Sequence, residues 1–341
     1  MVPLVGFYLY STQMEIKKIR MLFLYFAIIA GLSVLFLIIG VYNNLSSPRN
    51  FGGDKIIEIP IGSSLNTVAN ILEENGILSH KATFVWPARF KGLSSGIRAG
   101  EFLILTGSSL NDILTILTNG KNVQYPITFP EGLSSSQIVK LIVDEPKLEG
   151  PIRPIPIEGS LLPDTYNFTK GENRSKLISR MQLNMSLLLN DLWEERPDDF
   201  ILKSKGEVIT LASIIEKETA LSIERPLIAS VFLNRLDKNM RLQSDPTVIY
   251  GITQGEPLGR SISQSDLDGE TPYNTYKIRG LPSGPISNPG KAAIEAVFNP
   301  GDTIDLYFVA DGTGGHVFSE TLAEHNKNVL RWRKIEQGSK Q

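Results

Sequence analysis

The sequence predicts an α+β protein with an N-terminal transmembrane helix, a small βα domain and a larger α+β domain, and three observations carry that prediction. An uncharged apolar run fills Met21–Tyr42, a strand–turn–helix pattern recurs around the string Gly-Ser-Ser-Leu-Asn, and a proline- and glycine-rich stretch at Pro146–Pro163 precedes a mixture of helices and short strands. At 341 residues the chain exceeds the usual size of one domain, which suits an anchor followed by two folded units.

The apolar run is long enough at helical rise to cross about 30 Å of hydrocarbon. Lys17, Lys18 and Arg20 precede it and the next basic residue is Arg49, so the positive-inside rule puts residues 1–20 in the cytoplasm as a short leader and everything after residues 21–42 outside. The chain is thus expected to be single-pass in the plasma (inner) membrane. A cleaved signal peptide is the alternative, opposed by the length of the run and by the lack of a small-residue cleavage pattern after it. Met14 offers a second candidate start besides Met1. Residues 43–54, polar and turn-rich, read as a tether.

Residues 55–125 form the expected small domain. Ile56–Ile61 reads as a strand, Gly62-Ser63-Ser64 turns it, and Leu65, Val68, Ala69, Ile71 and Leu72 follow at helical spacing. Glu101–Leu105, Gly107-Ser108-Ser109 and Leu110, Ile113, Leu114, Ile116, Leu117 repeat the pattern, with serine as the helix cap each time. A weaker echo runs from Pro130 to Ile142. Residues 126–336 form the larger domain. Pro151–Pro156 cannot be helical, whereas Ser175–Trp193, Glu207–Thr219 and Arg225–Leu236 read as helices. Beyond Met240 the sequence reads as loop-rich, with a strand at Leu306–Ala310 and a closing helix near Thr321–Lys334.

Composition excludes several classes. A formal charge of −2, from 34 basic and 36 acidic residues, lacks the excess that a phosphate backbone requires, so no nucleic-acid partner is expected. The absence of cysteine removes disulfides, thiolate metal sites and thiol nucleophiles, and three histidines argue against a histidine-rich metal site. No cofactor and no metal is expected.

In the helix Val208–Thr219 the apolar stripe comprises Val208, Leu211, Ala212, Ile214 and Ile215. Glu218 falls inside it, one turn beyond Ile214. Burial raises a carboxyl pKa and can hold its proton near neutrality, which a general acid requires. A structural carboxylate paired with a buried arginine fits the same wheel.

The strand–turn–helix units of residues 55–125 resemble the LysM module, a small glycan-binding fold, although any serine-capped βα unit would look similar. Leu211–Ala220 closely resembles the signature helix of the YceG-like family of endolytic murein transglycosylases. The likeness continues through Glu158–Tyr166, Ala229–Leu236, Met240–Gly251, Tyr273–Tyr276, Gly280-Leu281-Pro282, Leu306–His316 and His325-Asn326-Lys327. Departures are Ser283, where a proline is usual, and Gly255–Gly269, which follows no recognisable pattern.

The resemblance implies that Glu218 is the catalytic acid and that residues 126–336 are the catalytic domain. It further implies cleavage between N-acetylmuramic acid and N-acetylglucosamine in nascent peptidoglycan glycan strands, leaving 1,6-anhydro ends, with strand termination as the role and peptidoglycan synthases (penicillin-binding proteins) as partners. Thr219 is expected to orient the acid, with Glu158 and Asp164 behind it. Gln243 and Asp245 read either as sugar contacts or as a turn before Pro246. Tyr273 and Asn274 are candidate substrate contacts, and Asp311–His316 reads as a hairpin turn beside the cleft. His325 and Asn326 read as caps or supporting partners on the last helix. A hydrolytic muramidase, with Asp245, Asp164 or Glu158 as second carboxylate, and a non-catalytic wall-binding scaffold remain as alternatives.

Overall fold

The longest apolar run makes the longest helix, α1 (Leu4–Ser46). In this computed structural model residues 4–93 and 96–338 are described; Met1, and with it the first residues of the expected leader, lies outside the described residues. Within α1 the stretch Lys17–Ser46 is long and apolar enough, by length and composition, to cross a membrane. The chain divides into two compact units, Met1–Val123 and Gln124–Gln341.

The first unit also contains β1 (Lys55–Ile59), α2 (Leu65–Glu74), α3 (Ala82–Phe90), β2 (Gly100–Ile104) and α4 (Leu110–Asn119). β1 and β2 pair antiparallel with Ile57 opposite Phe102, and both side chains enter a core shared with Val68, Leu72, Phe84 and Ile113. The repeated serines cap as read: Ser64 Oγ accepts from the Thr67 amide at 3.1 Å, and Ser109 forms a capping box with Asp112. α3 has no counterpart in the sequence reading, because Pro87 sits inside it and no side chain caps its start. After α1 the chain is fastened rather than free: the Gly107 amide donates to the Arg49 carbonyl at 2.8 Å, the Thr106 amide donates to Asp54 at 2.9 Å, and Leu45 and Phe51 pack on the core.

In the second unit β3 (Tyr125–Thr128) leads to α5 (Ser135–Asp144), β4 (Leu148–Glu149), β5 (Thr165–Phe168), β6 (Glu172–Asn173) and α6 (Arg174–Glu194). β3 pairs antiparallel with β5, and β4 parallel with β6. Then follow α7 (Lys205–Glu218), α8 (Arg225–Asp237), α9 (Asp245–Thr253), α10 (Gln264–Asp268), α11 (Lys291–Phe298), the hairpin β7 (Tyr307–Ala310) and β8 (His316–Ser319), and α12 (Leu322–Gly338). The main core surrounds α7, where Leu211 and Ile214 meet Ile228 and Phe232 of α8 and Ile294 and Val297 of α11.

Two expectations need correction. Every residue of α7 from Val208 to Ile215 is buried, so α7 is a central helix rather than an amphipathic one with a single stripe. And the sequence beyond Met240 is more helical than it reads: α9 starts with proline in its first turn and α11 is a short, largely buried helix, so neither shows the periodicity of a half-exposed one.

Candidate active site

Glu218 is the last residue of α7, where the helix leaves the core and the chain becomes extended at Thr219. It is half-buried. Ser244 Oγ donates a short hydrogen bond to its Oε1. Burial pushes its pKa up to about 7; the Ser244 hydroxyl pulls it down, the negative charge of Asp245 adds to the rise, and His316 and Arg235 oppose it. Arg235 does not pair with it. That guanidinium is buried and donates to the main-chain carbonyls of Leu306 and Leu242, both at 2.6 Å. The arrangement therefore supplies a carboxyl group that exchanges its proton near neutral pH.

The Gln243–Asp245 segment is built to hold Ser244 against the acid. Gln243 adopts a left-handed backbone (φ 51°), its amide donates to the Thr275 carbonyl at 3.2 Å, and the Ser244 amide donates to Thr275 Oγ1 at 2.9 Å. Thr247 Oγ1 closes the loop on the Ser244 carbonyl at 2.7 Å. Asp245 opens α9 and accepts from the Tyr276 hydroxyl at 2.6 Å, which, with burial, raises the tyrosine pKa.

The other expected residues separate. Thr219 is buried, and its hydroxyl donates to Glu224 at 3.1 Å rather than to Glu218. Glu224 also accepts from the His316 ring at 2.8 Å and the His316 amide at 2.7 Å; burial alone would raise its pKa, but these bonds outweigh it and keep it ionised. Asn274 is closed off from solvent. It is wholly buried, its amide nitrogen donates to the Leu267 and Gly269 carbonyls and its oxygen accepts from the Tyr276 amide, so the sugar-contact reading gives way to a structural one.

Tyr273 is half-buried and packs edge-on against Tyr250, with ring centroids 4.9 Å apart. Glu158 braces three segments: it accepts from the Ser135 amide at 2.8 Å, Asn288 at 3.0 Å and the Tyr250 hydroxyl at 3.2 Å, while burial raises its pKa. Asp164 is exposed at the start of β5 and accepts from the Thr165 amide at 2.6 Å. Neither touches Glu218 directly. Glu216, two residues before the acid, pairs with Arg225 at 2.9 Å and accepts from the Gly290 amide, tying α7 to α8 and to the start of α11.

The contacts of Ser244 with Glu218, of Tyr276 with Asp245 and of Glu224 with His316 are not legible in the sequence. A serine between Gln243 and Asp245 carries no distinctive signal, and the histidine lies far from the acid in sequence. His316 was legible only as the end of the glycine-rich Asp311–His316 stretch, which is the β7–β8 turn.

One half-buried carboxyl group with a raised pKa, carried on a helical α+β core with Asp245 in electrostatic reach, is the kind of site an acid–base enzyme uses. The comparisons agree. Residues 57–331 match the model of the YceG-like family, and the chain belongs to that family. Over 305 residues it is 35% identical to a Bacillus subtilis protein named endolytic murein transglycosylase, covering 80% of this chain and 82% of that one. It is 30% identical over 325 residues to a Streptococcus pneumoniae protein of the same name, covering 80% of this chain and 57% of the pneumococcal one. The crystal structure of a yceG-like protein from Listeria monocytogenes superposes with a TM-score of 0.51 at 32% identity, covering 80% of this chain and 98% of that chain.

Proposed function

We propose that this chain is a membrane-anchored endolytic lytic transglycosylase that cuts peptidoglycan glycan strands through Glu218. The observation that carries the proposal is the acid itself, with a pKa of about 7, a hydroxyl donor on one oxygen and no ion pair among the described residues. Protonated Glu218 donates to the glycosidic oxygen between N-acetylmuramic acid and N-acetylglucosamine as an oxocarbenium-like centre develops. The resulting carboxylate takes the proton of the muramoyl 6-hydroxyl, whose oxygen closes on the anomeric carbon. The products are a 1,6-anhydro end and a released strand, and Glu218 regains its proton without water being consumed. Tyr273 and Gln243 stand as substrate contacts, and Thr219 acts only through Glu224.

Helix α1 anchors the chain in the plasma membrane with its N-terminus cytoplasmic, supported by the basic residues before the apolar run. The first unit, LysM-like in its strand–helix pattern, holds glycan near the membrane surface. Cutting nascent strands there would set their length beside the glycan-polymerising synthases. Asp245, within electrostatic reach of the acid, favours a second reading, in which it activates water and the enzyme is a hydrolase. Mass spectrometry of uncrosslinked glycan digested by the full chain separates the two. Anhydro ends support the proposal and reducing ends the hydrolase, and the Glu218→Gln chain should yield neither.

A further inference from the structure

We propose that α3 is a second membrane contact, a short amphipathic helix lying in the outer leaflet against the emerging end of α1; this rests on the reading of α1 as an uncleaved anchor. Within the first unit a crevice of about 540 Å³ opens between the two helices. One wall is Phe36, Leu37 and Val41 of α1 and the other is Trp86, Pro87 and Phe90 of α3. The α1 wall belongs to the uncharged run that ends at Tyr42. At 1.5 Å per residue, Phe36 lies about 9 Å inside that end of the run. Whatever medium surrounds Phe36 and Val41 therefore also surrounds the facing side chains of α3. The apolar side chains of both walls, with Asn44, Thr83 and Lys91 also lining the crevice, suit the depth where interfacial helices lie, about 5–10 Å below the headgroups.

The side chains of α3 fit that medium. Trp86 is 60% exposed and Phe90 is 87% exposed, large aromatic surfaces that water would penalise and that membrane interfaces favour. The opposite face, Phe84, Val85 and Ala88, is buried in the core of the unit, so the helix cannot turn to hide them. Lys81, Arg89 and Lys91 flank these aromatics and no acidic residue occurs from His80 to Gly92, which matches anionic lipid headgroups. The hydrogen bonds that fasten Arg49 and Asp54 to the Thr106–Ser108 turn limit the swing of α1 against the unit and keep α3 at this depth. The anchor thus becomes a two-point attachment that fixes the orientation of the first unit on the bilayer, where a single helix would let it rotate.

The chain contains no cysteine, so a nitroxide placed at a single introduced cysteine reports one position. Full-length Phe90→Cys, Trp86→Cys and Leu37→Cys chains are labelled and reconstituted in nanodiscs of phosphatidylcholine and phosphatidylglycerol. Power saturation then compares accessibility to oxygen and to a water-soluble nickel chelate. The expected result is a deep label at Leu37 and shallow immersion at Phe90 and Trp86, with the oxygen-to-nickel ratio shifted from its value in water. A lipid-immersed label at Leu37 with water-like labels at Phe90 and Trp86 would overturn the role of α3 and leave the anchor intact. Water-like labels at all three positions would overturn both.

Discussion

Glu218 owes its half-buried position to the end of α7: the helix is buried on every side from Val208 to Ile215, not along one stripe, and releases this side chain at its last residue. A pKa near 7 bears on the proposed activity and on stability alike. The folded value lies above the ordinary 4.5, so the group costs nothing while both states are protonated, begins to cost as pH rises past 4.5, and carries its full penalty above 7. A rise of that size corresponds to roughly 3 kcal/mol. Glu218→Gln should therefore abolish glycan cleavage, raise the melting temperature at pH 8 and leave it nearly unchanged at pH 4, as calorimetry across that range would read. The neighbours should tune the acid in opposite directions. Ser244→Ala removes a donor to the carboxylate and should move the alkaline limb of the rate profile to higher pH, while Asp245→Asn removes a negative charge and should move it lower. Shifts of the same sign in the two variants would mean that the limb does not report Glu218.

At the scale of elements, legibility followed periodicity. The helices at Ser175–Trp193, Glu207–Thr219 and Arg225–Leu236 are where the sequence puts them, to within a residue or two, because each is a run of 13 to 21 residues with no proline or glycine beyond its first turn. α3, α9 and α11 escaped because they are short, begin without side-chain caps, and in α3 and α9 contain proline. The loop partners of Glu218 escaped for a different reason: Thr275 and Ser244 are distant in sequence, and only folding makes Thr275 the clamp on the serine. The buried Glu216–Arg225 pair joins α7 to α8 with side-chain exposures of 5% and 9%. Arg225 also pairs with the half-exposed Glu131 at 3.1 Å, but its removal strands the buried Glu216 above all, so Arg225→Leu should cost about 3–5 kcal/mol in urea unfolding. The double variant Arg225→Leu with Glu216→Gln should recover much of that loss. A double variant no more stable than Arg225→Leu would show that the pair is not the source of the effect.

The molecule as a whole consists of two units: the first has a core around Phe84 and Phe102, and the second has a main core around α7 with a further cluster around Phe129 and Phe168. Phe102 is wholly buried where β2 faces the helices of the first unit, and Phe232 is almost wholly buried where α8 packs on α7. Truncating either to alanine should cost about 3–5 kcal/mol, since the cavity is added to the lost transfer energy. If the cores unfold independently, Phe102→Ala lowers only one of two thermal transitions and Phe232→Ala only the other. The tryptophans allow the assignment: Trp86 belongs to the first unit, and Trp193 and Trp332 to the second. A chain retaining only Trp86, the others replaced by phenylalanine, should follow the transition moved by Phe102→Ala, measured in detergent micelles that accommodate α1. Glycan cleavage below both transitions should survive Phe102→Ala, because the packing around Glu218 lies wholly in the second unit. A single transition displaced equally by both substitutions would mean that the two cores are stabilised as one.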